Sequence, residues 1–340
     1  MKTLIIKYSS LGDVIQATPL AKIIKERNGE ETVSWLVEPQ YEVFLKGNPS
    51  IDKIFLLRKP KKQPPVLWLK NFIHLIRQLR GERFDRVIDA QGLFLSGLIA
   101  FLSGAKERVG FSNAREGAPK FYTRKVDVSA RPINAAKRYG LLVSDAAPDK
   151  LPFYIPRQNN WEGLEKKLLM EGCQKGKDII LLCPTSRWVT KNWPIQSFIE
   201  LAHRIVALVS HKVIFVGAPE DQHIQHLLDD GMGKKTVNFL GSKALKMEEL
   251  ITLVSKSRLF VTNDSGPMHL AAALGTPIVA LFGPTSDELT GPNTDQCRIV
   301  KTNVECRPCF KKVCPIQTHD CMKKLSVDDV FKACEIFLNN

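Results

Sequence analysis

No apolar run in this chain reaches the roughly 18–20 residues that a membrane-spanning helix needs. The nearest stretches, Gln91–Ala105 and Leu270–Gly283, are broken by Gly, Ser, Thr or Pro and read as buried α/β elements. Lys2 precedes only the short apolar stretch Leu4–Ile6, followed by polar Lys7–Ser10, so a secretory leader is not expected. No Gly-x-Gly-x-x-Gly fingerprint follows a strand-like segment, which argues against a dehydrogenase. An Asp-x-Asp pair for a divalent ion is missing too, as are short repeats and low-complexity tracts. The expectation is a soluble protein in the cytosol.

What is present is a 340-residue chain of ordinary globular composition, 44% hydrophobic and 25% charged. That length exceeds what one core usually supports, so two domains are expected. The charge is the unusual property. Lys and Arg number 49 against 35 Asp and Glu, a formal net charge of +14. Such an excess implies an anionic partner: nucleic acid, an acidic membrane surface or a phosphorylated substrate.

Strand-like and helix-like segments alternate, as they do in a parallel α/β sheet. Thr3–Tyr8, Val33–Val37, Lys53–Leu57, Phe84–Asp89, Arg108–Gly110 and Lys125–Val128 read as strands, and Val14–Arg27 as one amphipathic helix. The stretch Pro148–Asn160 is rich in Pro and Asn, as a domain edge is. The alternation then restarts with strands at Asp178–Cys183, Lys212–Gly217, Thr236–Leu240, Leu259–Thr262 and Pro277–Phe282, and a helix at Pro194–Leu208. The pattern predicts two Rossmann-like domains, residues 1–155 and 156–340, with a terminal helix opening at Ser326.

Five strand-end loops carry polar groups, where ligands of open α/β sheets bind. Ser9–Val14 places Asp13 at a helix start, as an N-terminal capping carboxylate or as a general base. In Val261–Gly275 a strand ends in Asp264, Ser265 and Gly266, and a helix opens near Pro267 with His269 one turn in. The amides of such a helix start bind phosphate, and Asp264 suits sugar hydroxyls. Pro184–Pro194 offers Thr185, Ser186, Arg187 and Lys191 to a diphosphate, with Trp193 there or in the core. Gly217–Asp221 offers Glu220 or Asp221 to a ribose, or to a helix N-terminus. Asp89–Leu93, followed by Arg115, Lys120, Arg124 and Lys125, would meet an anionic acceptor or form a solvated face.

Together the S-S-L-G-D-V-I-Q-A-T-P opening, the D-A-Q-G-L loop, the P-T-S-R-W-x-T-K-N-W-P segment and T-N-D-S-G-P-M-H-L-A-A-A-L-G-T-P-I-V-A-L-F-G-P-T resemble the ADP-heptose:lipopolysaccharide heptosyltransferases, glycosyltransferase family 9. The resemblance implies a GT-B fold, two Rossmann-like domains facing across a cleft. The first would take the acceptor, the second the nucleotide sugar. It implies metal-independent, inverting transfer of L-glycero-D-manno-heptose from ADP-heptose to the inner core of lipopolysaccharide, with no cofactor. Asp13 matches the general base, and Thr185, Ser186, Lys191, Asp264, Ser265, Gly266 and His269 match donor-binding positions. Glu220 or Asp221 matches the nucleotide-side acid. The acceptor would be an anionic glycolipid, lipid A–Kdo or a heptosylated core, met by a monomer at the cytosolic face of the inner membrane. Asp264–Thr285 and the Cys-rich segment resemble the enzymes that add the second heptose. Asp89–Leu93 and Arg115–Tyr122 resemble those that add the first.

Cys173, Cys183, Cys297 and Cys334 are isolated and read as small apolar residues. Cys306, Cys309, Cys314 and Cys321 cluster at spacings unlike a paired zinc ribbon, so a structural loop and a zinc site both stay open. The basic, Pro-rich Arg58–Pro65 precedes Val66–Arg80, where Leu67, Phe72, Leu75, Ile76 and Leu79 lie among Lys70, Arg77 and Arg80. That is the pattern of a surface helix or of a contact with anionic lipid. Two rival functions remain, a GT-B sugar-nucleotide epimerase and a basic nucleic-acid-binding protein, the latter leaving the five loops unexplained.

Overall fold

The aliphatic and β-branched runs form two all-parallel sheets of six strands each. The computed structural model describes residues 1–59, 64–129, 132–146, 150–158, 161–173, 178–208 and 211–339. Parts of the Arg58–Pro65 loop and of the Pro148–Asn160 stretch lie outside those residues. The chain divides into units Met1–Pro156 and Arg157–Asn340.

In the first unit β1 (Lys2–Ile6), β2 (Thr32–Val37), β3 (Lys53–Leu56), β4 (Arg86–Asp89), β5 (Glu107–Phe111) and β6 (Arg124–Val126) lie in the order β3-β2-β1-β4-β5-β6. Helices α1 (Leu11–Ala17), α2 (Pro19–Arg27), α3 (Pro65–Glu82), α4 (Phe94–Leu102) and α5 (Ala135–Gly140) complete it. Its core joins Leu4 and Ile6 of β1 to Leu36, Val87, Leu79 of α3 and Ile99 of α4. Covering helices explain why β1 is buried without a break past Lys2 instead of alternating.

The second unit repeats the plan. β7 (Asp178–Cys183), β8 (His211–Val216), β9 (Val237–Phe239), β10 (Leu259–Asn263), β11 (Ile278–Phe282) and β12 (Cys297–Lys301) lie in the order β12-β11-β10-β7-β8-β9. Counted within the unit, this is the same doubly wound order as the first. Around it run α6 (Trp161–Met170), α7 (Ile195–Val206), α8 (Gln222–Met232), α9 (Met247–Ser255), α10 (Gly266–Leu274), α11 (Asp287–Thr290), α12 (Asp320–Lys323) and α13 (Val327–Leu338). The α13 helix is capped as its sequence predicts, the Ser326 hydroxyl accepting from the Asp329 amide at 3.1 Å.

Two expectations change. Val14–Arg27 is not one helix but α1 and α2, broken at Thr18. Pro19 has no N–H to give Ile15, and its ring would strike that carbonyl, so the Thr18 hydroxyl bonds it instead at 2.8 Å. The edge strand β12 has no counterpart in the sequence reading. Its five residues include Arg298 and Lys301 and are largely half exposed, so no clear apolar run announces it. Among the described residues no helix is long and apolar enough to cross a membrane.

Candidate active site

Each sheet reverses its winding at one place, between β1 and β4 in the first unit and between β7 and β10 in the second. Ligands of such sheets bind outside the carboxyl ends of the strands at that reversal. The loops singled out in the sequence follow β1, β4, β7, β8 and β10. Four of the five flank a reversal.

In the first unit Asp13 is the third residue of α1. Its Oδ2 accepts from the Ser10 amide at 3.1 Å and from the Ser10 hydroxyl at 2.6 Å. Capping therefore holds the carboxylate in place, yet its side chain stays 46% exposed. Behind it lies Lys7, only 5% exposed, with Nζ 3.9 Å from Asp13 Oδ1 and 5.4 Å from the centre of the Tyr139 ring. Burial alone would push the Lys7 ammonium down, but Tyr139, Asp13 and Asp89 outweigh it and hold Lys7 above its ordinary value.

Asp89, at the end of β4, is fully buried, and burial pushes its carboxyl up. Its Oδ1 accepts from the amides of Gln91 at 3.0 Å and Gly92 at 2.9 Å, while Oδ2 accepts from the Tyr122 hydroxyl at 2.7 Å. Tyr122 fits because Gly110 has no side chain, a Cβ there standing 2.3 Å from the ring. Gln91 Oε1 then accepts from the Ser9 amide at 3.2 Å, joining the two loops at the reversal. Asp89 thus shapes the loop and does not face solvent. Arg115 and Lys120 are exposed, whereas Arg124 turns back to Glu107 and the Leu142 carbonyl.

In the second unit the donor-type residues meet in pairs. Lys191 Nζ lies 2.6 Å from Asp264 Oδ2, and that oxygen also accepts from the hydroxyls of Thr285 at 2.6 Å and Thr290 at 3.3 Å. The ammonium stands 4.8 Å from the centre of the Trp188 ring. Thr185 Oγ1 donates to Asp221 Oδ2 at 2.6 Å, and the Ala218 amide donates to the same oxygen at 2.8 Å. Asp221 is therefore bound into its own turn, while the adjacent Glu220 is exposed. The Ser186 hydroxyl donates to Asn192 Oδ1 at 2.7 Å. Ser265 stands at the start of α10 without a side-chain capping bond, its Oγ 3.1 Å from Thr262 Oγ1. Gly266 and Pro267 open that helix, and His269 is buried one turn in, 7% exposed.

Three groups support the site, of which Asn263 alone has no role in the sequence analysis. Asn263 spans the reversal, donating to the Pro184 carbonyl at 2.8 Å and accepting from the Trp193 amide at 3.1 Å. Its signal was only its place before Asp264 in a strand-end run. Trp193 takes the core reading, 1% exposed with Nε1 donating to the Leu325 carbonyl. The Cys-rich loop braces the site: the Lys311 carbonyl accepts from Thr190 Oγ1 at 2.9 Å, and His319 Nε2 lies 2.6 Å from the Thr190 carbonyl. Arg307 donates to the carbonyls of Gly283, Thr302 and Thr285. Cys321 is buried, and burial followed by Cys306, Cys309 and Cys314 pushes its thiol up to about 11. Among the described residues no three His, Cys, Asp or Glu are placed to hold a metal ion.

A chemistry follows from the two sets. A capped, half-exposed carboxylate can take a proton, and an ammonium beside hydroxyls and a helix start can hold a diphosphate. The chain is 28% identical to lipopolysaccharide heptosyltransferase 1 of Pseudomonas aeruginosa, over 96% of this chain and 90% of that protein. It superposes on E. coli ADP-heptose lps heptosyltransferase II with a TM-score of 0.80 at 20% identity, covering 100% of this chain and 99% of that one. For E. coli heptosyltransferase WaaC with ADP the TM-score is 0.73 at 21% identity, with 99% of each chain covered. The profile of glycosyltransferase family 9 (heptosyltransferase) matches residues 72–319, and with that match over most of its length the chain belongs to glycosyltransferase family 9.

Proposed function

We propose that this glycosyltransferase moves L-glycero-D-manno-heptose from ADP-heptose to an inner-core lipopolysaccharide acceptor, with inversion and without a metal ion. The observation that carries the reading is the placement of Thr185, Ser186, Lys191, Asp264, Ser265 and Gly266 on loops at one sheet reversal. The first unit would take the anionic glycolipid, and the second the donor.

Asp13 is the general base in this reading. It removes the proton of the acceptor hydroxyl as that oxygen attacks the anomeric carbon, and the bond to the ADP oxygen breaks from the opposite face. Negative charge grows on the departing diphosphate. The Lys191 ammonium has three donors; one is directed at Asp264, leaving others for phosphate oxygens. The Ser265–Gly266 amides add donors that need no rearrangement as charge develops, while the hydroxyls of Thr185 and Ser186 turn from Asp221 and Asn192 to reach the diphosphate. Asp264, held by Thr285 and Thr290, fixes where Lys191 points. Since Asp221 is already bound to Thr185 and its own turn, Glu220 is the acid assigned to the ribose hydroxyls.

Asp13→Asn keeps the Ser10 cap acceptor but loses the base. It should lower kcat by about 100-fold or more while the protein stays folded, by circular dichroism. Lys191→Ala should weaken ADP at least about tenfold in calorimetric titration. Transfer should persist in excess chelator. Near-normal turnover by Asp13→Asn removes the base assignment.

A further inference from the structure

The outer face of α3 takes no part in the chemistry above. This helix carries two apolar stripes. Phe72, Leu75, Ile76 and Leu79 face the sheet, where Leu75 and Leu79 are buried and the other two pack against them. Val66, Leu69 and Ile73 recur at i, i+3 and i+7 on the adjoining, outward-facing side, 69%, 51% and 41% exposed. Exposed Lys70, Arg77 and Arg80 flank that second stripe. Leu67, Asn71, His74 and Gln78 line, with Leu56 and Arg58, a groove of mixed polarity along the helix, of about 410 Å³. Between Lys53 and Phe84 nine Lys and Arg stand against one acid, Glu82, and Lys53 and Lys2 already pair with it.

We propose that the outer face of α3 docks on an anionic lipid bilayer. Val66, Leu69 and Ile73 enter the boundary between headgroups and acyl chains, and Lys70, Arg77 and Arg80 meet lipid phosphates. The charge identifies the occupant. A second copy seated on the same patch by two-fold symmetry would set three cations against three, with no acid on either face to answer them. A nucleic acid would satisfy the cations but leave the apolar stripe between them in water. Only a surface with anionic heads above an apolar layer matches both, and each cation near such a surface adds roughly fivefold in affinity. The face also differs from the one the sequence suggested, since Phe72, Leu75, Ile76 and Leu79 point inward.

The proposal extends the glycolipid reading, because a lipid-anchored acceptor lies in such a bilayer. Its test uses vesicles free of glycolipid, so the two readings fail separately. The full chain should co-sediment with phosphatidylglycerol–phosphatidylethanolamine vesicles and not with phosphatidylcholine vesicles. Added salt should weaken the binding. Val66→Ser/Leu69→Ser/Ile73→Ser and Lys70→Glu/Arg77→Glu should each weaken it at least about tenfold. Both variants should keep the wild-type thermal transition and the wild-type turnover of a deacylated, water-soluble acceptor. Failure of the wild type to bind anionic vesicles, or undiminished binding by both variants, overturns the proposal. So does a dimer in sedimentation velocity that the triple Ser variant dissolves, since the face would then belong to a second copy.

Discussion

At the scale of single residues, the candidate base and the candidate phosphate cation are each held by a neighbour that the sequence does not put beside them. Lys7 lies six residues before Asp13, just past the end of β1, and folding brings its buried ammonium to 3.9 Å from the carboxylate. A cation so placed favours the ionised base. Lys7→Met should therefore lower kcat/KM, and Lys7→Arg, which keeps the positive charge beside Asp13, should restore most of it. Equal losses in the two variants would reduce Lys7 to a packing residue. Motif chemistry was legible at this scale: Asp13, Lys191, Asp264 and Ser265 could be picked out from residue type and position. What could not be read was pairing. Thr290 lies 26 residues from Asp264, and Asn263 bridges to Pro184 across 79 residues; only the sheet order brings them together.

At the scale of elements, the alternation of the text gave eleven of the strands to within a few residues, most readily the central ones, which are buried on both faces and near-continuous apolar runs. It failed at α1–α2, where amphipathic spacing outlasts the hydrogen-bond ladder, and at β12, whose polar residues hide an edge strand. Thiols make the Cys-rich loop conspicuous in the sequence, but its structural work is done by Arg307 and by the Lys311 carbonyl and His319, which both hold Thr190. Arg307, whose side chain is 11% exposed, satisfies three carbonyls. Arg307→Ala should leave them without that partner and destabilise the second unit by about 2 kcal/mol, measured as a lower urea midpoint. Beside it, at the start of α11, burial pushes the Asp287 carboxyl up. Hydrogen bonds from Lys301 and the charges of Lys301 and Arg307 more than reverse this, holding it below the usual carboxylate range. A depressed folded-state pKa adds stability above the unfolded value, and that stability is lost as pH falls through the folded one. The gap in unfolding midpoint between wild type and Asp287→Asn should be full at neutral pH and close in acid. A gap independent of pH contradicts this.

At the scale of the molecule, the net charge of +14 implied an anion, and the fold divides that implication. The second unit sets Lys191 among hydroxyls at a sheet reversal, as a diphosphate requires. The first unit concentrates exposed cations on α3 and its flanks, as an anionic surface requires. Length led to an expectation of two domains, and the chain divides into two units that repeat one strand order. The central claim is heptosyl transfer with Asp13 as base. Its most direct test is mass spectrometry of ADP-heptose incubated with deep-rough lipopolysaccharide acceptors of defined core length. The account predicts the gain of one heptosyl residue by one of those acceptors with wild-type protein, and its near-complete loss with Asp13→Asn. No gain on any acceptor, or a donor isomerised without one, would contradict it.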